Sequence, residues 1–256
     1  MSGMKLYILL ILLAMPFYMV FAQEVDYKSN FDKGLKAYKN KEFAQAVKLY
    51  EAALSTKIKS PEAYNNLGLA YFKTADIGRA VLNFERALRM RPGYSSARKN
   101  LKAAQQYIDT KIKKSSGFWL FGFFTAFALM LTSFTWTIVF FLLFFSSFAA
   151  LLIWYLKLNE KLSFIGLRAG IIFLFFSICS FLFARTAASA QFDKNLAIVT
   201  SVRAGVRTAP GLDGEDILVI SSGVKVKIQE EMGDWYKIRL ENAVVGWVPV
   251  KTLEKI

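Results

Sequence analysis

FWLFGFFTAFALMLTSFTWTIVFFLLFFSSFAALLIWYL, residues Phe118 to Leu156, runs for 39 residues without a charged side chain. FIGLRAGIIFLFFSICSFLFA, Phe164 to Ala184, repeats that character with Arg168 as its one charge. A hydrocarbon core of about 30 Å is crossed by roughly 20 apolar residues as helix, so the second run fits one membrane span. The first run at about 1.5 Å per residue would make on the order of 58 Å of helix, which excludes one straight span. Two readings follow. In the preferred one, residues 117–135 are an interfacial apolar segment and the span is Trp136 to Leu156. Phe118 to Leu131 is short for a span, carries Trp119 near its start and follows Lys111, Lys113 and Lys114, all features of a segment lying on a bilayer. In the other, a turn near Thr132, Ser133 and Thr135 divides the run into two short spans, which moves the C-terminus to the opposite side. The loop between the runs, residues 157–163, carries Lys157 and Lys161 against Glu160 and suits the cytoplasm.

Lys5 followed by LYILLILLAMPFYMVFA, with Val20-Phe21-Ala22 before Gln23, has the form of a secretory signal covering residues 1–22. Whether cleaved or kept as an anchor, it exports the segment that follows. With two further spans the C-terminal module returns to that same outer side of the cytoplasmic membrane. The chain has no histidine, and its one cysteine, Cys179, falls inside the second apolar run. Disulfides within the chain and Ser-His-Asp or Cys-His catalysis are thereby excluded, and a His/Cys metal site is implausible; a Ser/Lys or paired-carboxylate site stays formally open, but no Asp/Glu constellation stands out. The expectation is a non-enzymatic protein without cofactors.

Residues 23–116 contain an internal period of 34. Gly34 recurs as Gly68, Ala46 as Ala80, Val47 as Val81, Tyr50 as Phe84, Ala53 as Ala87 and Leu54 as Leu88. Counted from Pro61, the second copy (61–94) places Tyr64, Leu67, Gly68, Tyr71, Ala80, Phe84, Ala87 and Pro92 at positions 4, 7, 8, 11, 20, 24, 27 and 32. Small residues at 8 and 20 let two antiparallel helices approach, aromatics fill the gaps around them, and Pro92 ends the second helix. This copy resembles the tetratricopeptide repeat throughout. The first copy (27–60) departs with Asn30, Lys33, Ala37 and Ile58 at positions 4, 7, 11 and 32, so it is a degenerate or capping repeat. Residues 95–112 supply a capping helix, which a solenoid needs.

The resemblance implies partner binding on the face lined by the first helix of each repeat: Phe31, Leu35 and Tyr38, then Asn65, Leu69 and Phe72. The family's carboxylate clamp wants Lys and Asn where Phe31 and Leu35 stand, so capture of a free carboxylate is not implied. The same apolar residues could instead pack on the interfacial segment or the bilayer. Residues 23–116 hold 19 Lys+Arg against 9 Asp+Glu, whereas Asp193 onward is balanced at 9 and 9. The basic excess suits anionic lipid headgroups or an acidic protein, and export argues against nucleic acid.

After a linker at 185–195, alternation takes over in residues 196–256. Val224, Val226 and Ile228 alternate with polar residues, as do Tyr236, Ile238 and Leu240, around a turn at Met232-Gly233-Asp234. Further turns are expected at Leu212 to Glu215 and at Glu241-Asn242. VRTAP (206–210), Gly223, DWYKI (234–238) and GWVP (246–249) resemble the bacterial SH3 domain. Relatives of that kind often bind cell-wall peptides, so Trp235, Tyr236 and Trp247 are the candidate ligand or docking surface. The resemblance gives Gly246 and Trp247 architectural roles, with Gly246 allowing a bend and Trp247 filling the barrel end.

The expected fold class is therefore a multidomain membrane protein: an all-α tetratricopeptide repeat module, a transmembrane helical hairpin (136–156 and 164–184) and a small all-β SH3-like barrel. That order resembles the BatE family of Bacteroides-type aerotolerance operons. It implies a cell-envelope scaffold acting with other Bat membrane proteins that carry von Willebrand A domains and with a MoxR-type ATPase. The alternative expectation is a peptidoglycan-binding anchor or sensor.

Overall fold

Small residues set opposite aromatics build the helical repeats. In the computed structural model, which describes residues 24–109, 119–157, 159–211 and 214–256, α1 covers residues 24–39 and α2 Phe43–Ser55. They are followed by α3 Pro61–Lys73, α4 Ile77–Met90 and α5 Ser95–Gln105. The expected signal at 1–22, the lysines at 111, 113 and 114, and the turn at Leu212-Asp213 lie outside the described residues.

Both copies of the repeat make the same central contact. A Cβ added to Gly34 would stand 2.8 Å from the Tyr50 ring, and one added to Gly68 would stand 2.7 Å from the Phe84 ring. Ala46, Ala53, Ala80 and Ala87 are fully buried around these contacts. Ser60 starts α3 by accepting the Ala63 N–H at 3.0 Å, with Pro61 in the first helical position. Because Phe84 is itself fully buried, Gly68→Ala should lower stability by about 1–3 kcal/mol through overpacking. Urea denaturation followed by circular dichroism measures this, and the loss should appear as a lower midpoint.

The chain divides into two compact units: one up to Met90, with Tyr94–Lys113 and Asn195–Ile256, and the other of Arg91–Gly93 and Lys114–Lys194. In the first unit the repeats are joined by an antiparallel sheet of seven strands. These are β1 Leu196–Val199, β2 Arg203–Arg207, β3 Asp216–Ser221, β4 Lys225–Met232, β5 Trp235–Arg239, β6 Val245–Pro249 and β7 Leu253–Lys255, in the order β3-β2-β6-β5-β4-β1-β7. Alternation decides which side chains enter its core: Val226 and Ile228 from β4, Tyr236 and Ile238 from β5. Gly233, at φ +54°, turns β4 into β5, with Met232 opposite Trp235. At Gly246 the requirement is space, since a Cβ would lie 2.4 Å from Val206 and 2.8 Å from the Arg207 carbonyl oxygen on β2.

The second unit contains α6 Trp119–Ala128, α7 Ser133–Leu156 and α8 Glu160–Phe192. The 39-residue run breaks where Thr132 caps α7, its side chain accepting the Thr135 N–H at 3.2 Å. At about 15 Å, α6 is too short to span a bilayer. The Trp136 indole N–H donates to the Ala128 carbonyl at 2.9 Å, and Phe124 and Phe127 of α6 pack on Phe183. Two helices, α7 and α8, are long and apolar enough to cross a membrane.

Small and hydroxyl side chains form the seam between α7 and α8. Gly166 leaves space beside the Ala150 carbonyl and Gly170 beside Leu151. Ser147 and Ser180 hydroxyls donate to the Gly170 and Trp136 carbonyls at 2.8 and 2.9 Å. Close backbones and interhelical hydroxyl bonds hold helices together where lipid removes the hydrophobic driving force between them. Large side chains such as Phe141, Phe145, Phe148, Ile172, Phe175 and Phe176 point outward.

Two expected boundaries are corrected. Within the loop expected at 157–163, residues 160–163 are helical, because Asn159 caps α8 by accepting the Lys161 N–H at 2.9 Å. The linker expected at 185–195 is helical as far as Phe192. Ala184 and Ala187 are buried with Trp136, and the Gln191 side-chain oxygen accepts both the N–H and the hydroxyl of Ser133. This stretch therefore holds the start of α7, and only residues 193–195 separate α8 from β1.

Candidate functional site

The first helix of each repeat carries the expected binding face, and the structure treats its two halves differently. Phe31 lies between Tyr27 and Tyr50, at ring distances of 6.0 and 5.8 Å, while Tyr38 meets Phe43 edge-on at 5.3 Å. Phe31, Leu35 and Tyr38 keep part of their surface in solvent. In the second half Asn65 is buried, and its Oδ1 accepts from Asn100 of the capping helix at 2.9 Å. Phe72 packs edge-on against Tyr107 at 5.3 Å, and Leu69 is partly buried. The cap thus covers part of this half, leaving Phe31, Leu35 and Tyr38 as the more open portion of the face.

On the β module, Trp235 is partly exposed with the Arg207 guanidinium 5.8 Å from its ring centre. Trp247 is buried beneath Lys237, whose Nζ is 5.6 Å from the ring. Tyr236 belongs to the barrel core, covered by Lys255 at 5.0 Å. The three aromatics therefore do not form one open patch, and Trp235 is the one with an accessible face.

A contact that the sequence did not signal joins the two modules. In β1, Ala197 and Val199 face the barrel core, and Ile198 between them is fully buried in the same cluster as Val81 and Leu101 of the repeats. Two glycines bring the backbones together. A Cβ on Gly78 of α4 would meet Ser222 Oγ at 2.2 Å and the Val199 carbonyl at 2.7 Å, and one on Gly223 would meet Ile108 at 3.0 Å. Ion pairs close the edge: Lys225 with Glu85 at 2.9 Å, and Glu254 between Arg86 and Arg79 at 3.6 and 3.9 Å. Arg86 also donates to the Lys255 carbonyl at 2.8 Å, and Arg89 to that of Ile256. Position 18 of the second repeat and the outward residue of a four-residue strand are locally unremarkable, so only their meeting reveals the seam.

Burial also marks two tyrosines of the repeat core. Tyr50 is pushed up to about 12 by loss of solvent, with Asn66 pulling the other way and Tyr38 adding to the rise. Tyr71 is raised further by burial and then by its hydroxyl's hydrogen bond to the Glu51 carboxylate. Both are held neutral by the fold. Among the described residues no group of three or more His, Cys, Asp or Glu side chains is placed to hold a metal. The arrangement offers surfaces for binding.

Comparison with known families agrees with this partition. Residues 34–74 match a TPR repeat, residues 61–94 a tetratricopeptide repeat, and residues 202–254 the bacterial SH3 domain. No curated protein matches the chain. Tetratricopeptide and SH3 domains are non-catalytic interaction modules. The chain thus joins a tetratricopeptide protein-interaction module to a bacterial SH3-like module, with two candidate membrane-spanning helices between them in sequence.

Proposed function

We propose that this protein is a non-enzymatic scaffold of the cell envelope, anchored by α7 and α8, that presents its repeats and SH3-like barrel as one rigid adaptor on the outer side of the cytoplasmic membrane. The observation that carries the reading is the buried Ile198 seam. A unit assembled from residues on both sides of the apolar block requires both ends of that block to emerge on one face, hence an even number of crossings. The length of α6 supports two. The order of modules supports a place in a Bat-type complex, with partners that carry von Willebrand A domains, held through Phe31, Leu35 and Tyr38 and the neighbouring Leu69 and Phe72. The basic repeat region suits anionic headgroups beneath it.

Compartment-specific reporters fused after Ser116 and after Ile256 test the topology. Both should report outside the cytoplasm; a C-terminal fusion active only in the cytoplasm sinks the reading. Co-purification from detergent extracts then tests the face. Changing Phe31, Leu35 and Phe72 to Ser should remove the partner set, and an unchanged set counts against it. Trp235, open beside Arg207, favours a second reading in which the barrel holds peptidoglycan stem peptides. Failure of the full chain to sediment with purified sacculi removes that reading.

A further inference from the structure

A cleft of about 1290 Å³ lies between α2 and α4, floored by α3 and bordered by β7. None of the residues of the expected binding face lines it. Its volume exceeds the roughly 300–1,000 Å³ usual for a small-molecule pocket and suits a stretch of polypeptide. Lys48 and Lys59 stand on the α2 side, and Arg79, Arg86 and Arg89 on α4. The acidic groups on the repeat side are already engaged: Glu51 accepts the Tyr71 hydroxyl, and Asp76 accepts the Arg79 N–H at 3.0 Å and pairs with its guanidinium at 3.4 Å. Leu67 and Leu82 give the walls an apolar component. Buried Asn83 in the same wall donates to the Arg79 carbonyl but leaves its Oδ1 without a hydrogen-bond partner.

The chain itself shows what such a surface holds. Along one border β7 is extended, with the Glu254 carboxylate between Arg79 and Arg86 and the following backbone carbonyls accepting from Arg86 and Arg89. We propose that the cleft binds an extended acidic peptide segment of a partner protein, laid alongside β7 and read by Lys48, Lys59 and the α4 arginines. Charge complementarity selects the partner, and the apolar walls accept alternate side chains of its strand. Glu254 competes for the same arginines, so it sets how open the site is. This surface is separate from the face bearing Phe31 and Leu35, and the inference stands whether or not that face binds anything.

Fluorescence anisotropy of the full chain in zwitterionic nanodiscs, with a labelled decapeptide of alternating Glu and Val, tests it. The acidic peptide should bind and its Lys/Val counterpart should not, with affinity falling as salt is raised. The double variant K48E/K59E, at two exposed positions, should weaken binding about ten-fold or more. Glu254→Gln should strengthen it several-fold by freeing Arg79 and Arg86, a gain that mere loosening of the fold would not produce. Equal binding of both peptides, or affinities unchanged in both variants, overturns the proposal. So does loss in K48E/K59E of binding to phosphatidylglycerol vesicles without any peptide binding, which assigns the surface to headgroups.

Discussion

Ile198→Asp is expected to separate the SH3-like barrel from the repeats while leaving each folded. Ile198 contributes nothing to the barrel core, which takes Ala197 and Val199 from the same strand. Its side chain sits fully buried against the repeats, where an uncompensated carboxylate costs about 3–5 kcal/mol. The ion pairs of Glu254 and Lys225 lie partly in solvent, and exposed pairs contribute about 0–1 kcal/mol each, so they cannot hold the docked state. Thermal unfolding of the detergent-solubilised chain should change from one cooperative transition to two, and limited proteolysis should open the connection at residues 193–195. A single unshifted transition in the variant would mean that the seam contributes little.

Alkali should unfold the repeat module before the barrel. Tyr50 and Tyr71 are held neutral in the folded state with pKa values above the ordinary 10, so the folded protein binds more protons than the unfolded chain above that pH. Their contribution is complete below pH about 10 and is lost as pH rises toward and beyond 12. The rise at Tyr50 alone corresponds to roughly 3 kcal/mol, and Tyr71 adds to it. Tyrosinate absorbance should rise in two stages, the second from the buried pair together with loss of helical circular dichroism. Tyr50→Phe should move that second stage to higher pH. Helix loss that tracks the first stage would show that these tyrosines are not the trigger.

The repeats were legible because one contact, a small residue against an aromatic, recurs at Gly34 with Tyr50 and at Gly68 with Phe84. The barrel strands were legible because alternation survives in β4 and β5. The end of α8 is not legible locally, since Thr186 to Gln191 is polar and small and suits a linker. Its helicity follows from tertiary contacts of Ala187 and Gln191 with the start of α7. Asn65 and Tyr236 fit a binding pattern by position, yet the capping helix engages one and the barrel core encloses the other. The seam at Ile198 and the cleft beside β7 are not legible in the sequence for a common reason. Each brings residues more than 100 positions apart into contact, and nothing local distinguishes them.

The seam also has a biogenetic consequence. The α4 surface around Val81 is synthesised well before Ile198, because the whole apolar block with its two candidate membrane-spanning helices lies in between. During that interval an apolar patch stands uncovered, in a chain whose final pairing has a sequence separation that slows folding and invites aggregation. Newly made molecules are therefore most vulnerable between completion of α4 and arrival of β1. A helper that shields α4 would act in that window, and domain swapping between neighbouring copies would be the characteristic error if it failed.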